Sequence, residues 1–270
     1  MNAATAAPAA APHSRPSSRL TGRRVLASEW IKLWSVRSYW MTGALAVIFL
    51  IAFGLVAAAS YSPASTQNLG SDSVSLALGG MYLVLLTVGV LGVLVTAGEY
   101  GTGSIRSTMT AVPRRLPVLW SKAAVAGAVA LVLGAVSAVI SYAGGEGLLR
   151  GGIALPLTAS GVLRSLMLAA AAMALIVIMG VGLGSLVRSV GGAIAILAVL
   201  LLLLPALADL LPTGLRNDIS PYLLGNAANS MFSLHQSAGA LNPWAGSGVA
   251  AAWTAAALAA AAYRLIRTDV

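Results

Sequence analysis

Six long apolar runs set the plan of this chain, at residues 40–60, 76–97, 118–142, 163–186, 190–208 and 249–265. Each approaches the roughly 20 residues a helix needs to cross a bilayer. The middles of the runs hold no Asp, Glu, Lys, Arg or His. That matters because one central charge costs about 2.5–3.5 kcal/mol on insertion, cancelling several leucines at about 0.3–0.6 kcal/mol each. The pattern predicts an all-α, polytopic membrane protein with six transmembrane helices.

The segments between the runs differ in character. Residues 1–24, rich in Ala, Pro and Ser, read as a disordered tail. Arg23 and Arg24 superficially match a twin-arginine export signal, but Glu29, Trp30 and Lys32 stand where its apolar region should run. Residues 25–39, VLASEWIKLWSVRSY, place Leu26, Trp30, Leu33 and Trp34 at helical spacing, with Glu29, Lys32 and Arg37 elsewhere on the wheel. This predicts an amphipathic helix at the membrane interface, its tryptophans at headgroup depth. Residues 209–248 are irregular in composition, yet Tyr222, Leu223, Leu224, Met231, Phe232 and Leu234 are too apolar for a free loop. Short helices capping the bundle would bury them. Within the runs, Gly180 and Gly184 form G-x-x-x-G, and Ala123 and Gly127 repeat that spacing; both predict close helix packing.

Composition agrees with the pattern. Of 270 residues, 59 % are hydrophobic and 9 % charged, against roughly 45–50 % and about 25 % in soluble domains. The absence of cysteine rules out disulfides and thiolate metal sites. With the N-terminus inside, thirteen cations fall on the cytosolic side: Arg15, Arg19, Arg23, Arg24, Lys32, Arg37, Arg106, Arg114, Arg115, Lys122, Arg188, Arg264 and Arg267. Arg150, Arg164 and Arg216 remain outside. This asymmetry predicts a cell-membrane protein with both termini cytosolic. The net charge of +9 then needs no nucleic acid, since anionic lipid and an acidic protein partner suffice.

The loop after the second run, AGEYGTGSIRSTMTAVPRRLPVLWSK, is the polar exception. It has Gly98, Gly101 and Gly103 near Ser104 and Arg106, but neither G-x-x-x-x-G-K-[ST] nor G-x-G-x-x-G, so a phosphate cradle is not indicated. Ile105, Met109 and Val112 recur at helical spacing, with Ser104, Ser107 and Thr108 on another edge and Pro113 as a stop. A short helix with an apolar edge at the mouth of a bundle suits a partner's groove.

The run Glu99, Tyr100, Gly103, Ser104, Ile105, Arg106, Thr108, Pro113, Arg114, Arg115 and Lys122 resembles the cytosolic loop of the membrane subunits of ABC-2 type exporters, particularly the actinobacterial branch. SEWIKLWSVRSYW, residues 28–40, resembles that branch's N-terminal interfacial helix. The resemblance follows the order of spans through nearly the whole chain, with specific motifs over about forty residues. It implies six spans over residues 25–270, a pair of permease subunits, and two separate ATP-binding subunits that carry ATP and Mg²⁺, with no cofactor on this chain. It also implies that Gly103, Ile105, Arg106, Thr108 and Pro113 lie in a coupling helix resting on the ATPase, with Glu99 at its membrane-side start. Here Gly101-Thr102 precede Gly103-Ser104, and Ser104 stands where threonine is commoner. The expected function is transport of an amphipathic, lipid-like or drug-like substrate, without bond-breaking by this chain. Glu99 is placed to pair with Arg37, Arg106 or the interfacial helix.

Other classes fit less well. A secondary transporter would keep Asp, Glu or His within its spans for ion coupling. His13 and His235 do not make a metal or catalytic set. A non-transporting membrane anchor or assembly factor is the competing reading, for it needs the spans but not the loop.

Overall fold

The computed structural model describes residues 22–62, 72–105, 115–149, 153–236 and 239–267, with Arg115 described by its backbone alone. These residues form helices and turns, with no strand among them. Six of the helices are long and apolar enough to cross a membrane, so the chain is built as a multi-pass membrane protein.

Helix α1 spans Gly22–Ser35, starting three residues inside the segment expected to be a tail; residues 1–21 lie outside the described ones. Val36, extended at φ −97° and ψ 114°, separates it from α2, Arg37–Ala59. The expected interfacial helix ran on to Tyr39, so Arg37 moves to the first span. The break is held by aromatic packing: the rings of Trp34 and Trp40 lie 4.0 Å apart, and Trp40 Nε1 donates to the Trp34 carbonyl at 3.1 Å. The wheel also turns differently than the sequence suggested. Val25, Glu29 and Leu33 form the buried stripe, while Leu26, Trp30 and Trp34 are exposed.

The second apolar run straddles two helices, α3 at Ser73–Ala77 and α4 at Met81–Gly101. Asp72 starts α3 through a capping box, accepting from the Ser75 amide at 2.7 Å while its own amide donates to Ser75 Oγ at 3.0 Å. The chain then turns through Leu78, Gly79 and Gly80, and Ser141 Oγ donates to the Ala77 carbonyl at 2.7 Å. At its other end α4 runs past residue 97, where the span was expected to stop. Glu99 and Tyr100 therefore belong to the helix.

Helix α5 covers Arg115–Glu146 and α6 covers Val162–Val187. Helix α7, Val190–Ala208, contains a π-helical turn at Val199–Leu203. Pro205 explains it: without an amide hydrogen it cannot bond the carbonyl four residues back, and the helix widens there. Short helices α8, Thr213–Ile219, and α9, Leu224–Phe232, follow, then α10, Pro243–Arg267. Helix α9 buries Leu224, Met231 and Phe232, while Tyr222 stays exposed.

Helix α6 is the hub, packed against α4, α5 and α10. Within its apolar window 72 % of residues are buried, against 22 % in α7, so α7 lies at the margin. Glycine sets the α4–α6 distance. A methyl on Gly180 would run into the Gly89 carbonyl oxygen, and one on Gly92 into that of Val177. A Cβ on Gly184 would sit 3.0 Å from the Val93 oxygen. The G-x-x-x-G face is thus covered within the chain.

Candidate functional site

One buried ionic cluster joins the three elements flanking the polar loop. From α1 come Glu29 and Lys32, from the last turn of α4 comes Glu99, and from the second turn of α5 comes Lys122. The Lys122 ammonium donates to Glu29 Oε2 at 2.7 Å, Glu99 Oε1 at 2.6 Å and the Val95 carbonyl at 3.3 Å. Lys32 Nζ donates to Glu29 Oε1 at 2.9 Å and Glu99 Oε1 at 3.2 Å. Lys122 is 2 % exposed, Glu29 4 % and Glu99 8 %, so one ammonium group and two carboxylates meet away from water, and half-buried Lys32 closes the cluster at its wet edge. Such clusters hold only when every charge has a partner, because desolvating an unpaired ion costs several kcal/mol.

Glu99 Oε2 makes no hydrogen bond among the described residues. Glu99 also lines a cavity of about 10 Å³ with Glu29, Lys32, Tyr39 and Lys122, about the space one water needs. Tyr39 approaches from α2, its hydroxyl 3.5 Å from the Leu94 carbonyl.

Burial by itself would lower the Lys32 pKa, but Glu29 and Glu99 outweigh it and hold the group above its ordinary value of 10.5. The stability that Lys32 adds is therefore complete below that value and is lost as pH rises through the higher folded one. Emission from Trp30 and Trp34 in detergent-solubilised protein should stay constant up to pH 10.5 and shift to longer wavelength beyond it. A transition centred near neutrality would contradict the pairing.

The other residues singled out from sequence are dispersed around this cluster. The Arg188 guanidinium lies 5.4 Å from the Tyr100 ring, a cation–π contact tying α4 to the end of α6. Gly103 takes a left-handed φ of 73°, which glycine adopts without a Cβ penalty. Thr102 and Ser104 hydroxyls lie 3.0 Å apart, and Ser104 and Ile105 begin a helical turn. Ile105 is 4 % exposed, so its side chain is covered within this chain. Arg106, Thr108, Pro113 and Arg114 lie outside the described residues, and with them most of the expected coupling helix. Arg115 opens α5. Trp30 and Trp34 pack at 5.6 Å, while Arg37 is exposed at the start of α2.

The sequence placed Lys122 among the cytosolic-side cations and at the end of the polar loop's motif run, without a partner. The available signal was its position seven residues into a helix that starts at Arg115, where an intramembrane charge needs a partner. No family model and no curated protein matches the sequence, so the function of this cluster is argued from its own chemistry.

Proposed function

We propose that this chain is the membrane-spanning subunit of an ATP-binding cassette exporter in a cell membrane, moving an amphipathic or lipid-like substrate. Two separate ATP-binding subunits drive it, it pairs with a second permease, and its termini are cytosolic. The observation that carries this reading is the Glu29–Lys32–Glu99–Lys122 cluster. It binds the helices on both sides of the polar loop, α4 and α5, to the interfacial helix α1 through buried charge pairs. A push on that loop would be passed to two spans and α1 together, as rigid-body switching between two packings requires. The chain itself breaks no bond.

The burial of Ile105 favours the competing reading, a non-transporting anchor or assembly factor, because it withdraws one apolar residue from a docking edge. The two readings separate by co-purification with an ATPase carrying G-x-x-x-x-G-K-[ST] and by ATP-dependent efflux from vesicles. Glu99→Gln should insert and bind the ATPase normally, yet lose most of the efflux, since the neutral amide no longer holds Lys122 and Lys32 as a charged acceptor. Undiminished efflux by well-inserted Glu99→Gln would remove the coupling role. A purified assembly without an ATPase would remove the transporter reading.

A further inference from the structure

The elbow between α1 and α2 carries a second feature beside the coupling cluster, sharing Lys32 with it. An apolar groove of about 600 Å³ opens between α1, α2 and α5, lined by Trp30, Trp34, Trp40, Ile48, Ala128 and Val132 among others. Its volume falls within the range of small-molecule sites. From Trp40 to Ile48 it follows about 12 Å of helix α2, most of one leaflet of a hydrocarbon core of roughly 30 Å. Tryptophans concentrate at headgroup level, and all three here stand at the α1 end. The groove is therefore placed to take an acyl chain lying along the bilayer normal.

At that same end the apolar groove meets a polar one. A pocket of about 350 Å³ is lined by Lys32, Ser38, Tyr39, Thr102 and Ser104, with Gly98 and Glu99, and Tyr39 borders both. The charge exposed around the elbow is positive. At the elbow itself Arg37 is exposed and Lys32 is half-buried, with Arg23 and Arg24 exposed at the far end of α1, whereas Glu29 and Glu99 are buried and each accepts from Lys122. An ammonium with the hydroxyls of Ser38, Tyr39, Thr102 and Ser104 nearby donates well to phosphate oxygens, and a cationic rim favours a net negative headgroup.

We infer that the elbow is a binding site for one anionic phospholipid of the adjoining leaflet, with a chain in the groove and its phosphate at Lys32, Ser38 and Thr102. The site requires only that the chain sits in a bilayer, so it stands apart from the transport reading.

The test uses full-length protein in phosphatidylcholine vesicles with increasing small fractions of chain-brominated phosphatidylglycerol, read as quenching of tryptophan emission. Quenching should saturate at low mole fraction, whereas brominated phosphatidylcholine should quench only in proportion to its abundance. Lys32→Gln should weaken the phosphatidylglycerol preference about fivefold, one cation's share at an anionic surface. Ala128→Phe should abolish the saturable component by filling the groove. Val132→Phe, at a position 61 % exposed, does the same where Ala128→Phe fails to fold. Equal response to both headgroups overturns the inference, as does saturable quenching that survives both groove variants. Linear quenching in the wild type also overturns it, and is the result expected if a second copy of the chain covers the tryptophans.

Discussion

Lys122→Met should destabilise the protein by about 3–5 kcal/mol, the usual penalty for removing one partner of a buried pair. The side chain is 2 % exposed, and its loss leaves Glu29 and Glu99 with Lys32 alone. Methionine keeps most of the volume, so the loss reports charge and not a cavity. The check is the midpoint of unfolding in detergent, by heat or by added dodecyl sulfate. Combining Glu29→Gln with Lys122→Met should recover a large part of the loss, because only Glu99 then stays charged and Lys32 already reaches it at 3.2 Å. Stability within about 0.5 kcal/mol of wild type for the single variant, the level of an ordinary surface change, would mean that the cluster is wet and not a structural tie.

Gly180→Val should be the next most damaging change, for a different reason. The atoms in the way of its Cβ are the Gly89 oxygen, the Val93 nitrogen and the Gly92 carbonyl carbon. All are backbone, so no rotamer change relieves the overlap and the helices must part. Overpacking of this kind costs about 1–3 kcal/mol and occasionally more. It falls on α6, the hub of the bundle. Gly92→Val meets the Val177 backbone across the same contact, so the two losses should add to less than their sum. Gly98→Ala, on α4 with nothing within 4 Å of its Cβ, should be neutral or slightly stabilising, since alanine favours helix over glycine by about 1 kcal/mol. An unfolding midpoint unchanged by Gly180→Val would show that α4 and α6 do not meet there.

The cluster and the glycine contact illustrate how unevenly the site could be read. Glu99 stood out in the sequence as a carboxylate at the end of an apolar run, and the interfacial helix was among its expected partners; Lys32 of that helix lies 3.2 Å away. Glu29 was assigned to the polar side of α1, and the structure turns it inward. No local signal separates these cases, because a 14-residue helix in which Arg23, Arg24, Glu29 and Lys32 alternate with Val25, Leu26, Trp30, Ile31, Leu33 and Trp34 fits several orientations against a bundle. Ile105 was read as part of the apolar edge of a short helix, and its side chain is buried within the chain. A short apolar side chain has the same periodicity whichever surface it covers.

The sequence by itself determined that six helices would be long and apolar enough to cross a bilayer, and closely where they would lie. Insertion depends on the summed hydropathy of neighbouring residues, which is a local and additive property. Only the tertiary structure decided that the second run breaks at Gly79 and Gly80, that α4 continues through Glu99, and that Lys122 is the centre of a buried cluster. Those outcomes rest on contacts between residues far apart in the chain, 93 positions for Lys122 with Glu29 and 64 for Ser141 with Ala77. A charge or a free carbonyl is tolerable within an apolar helix only when another element brings its partner.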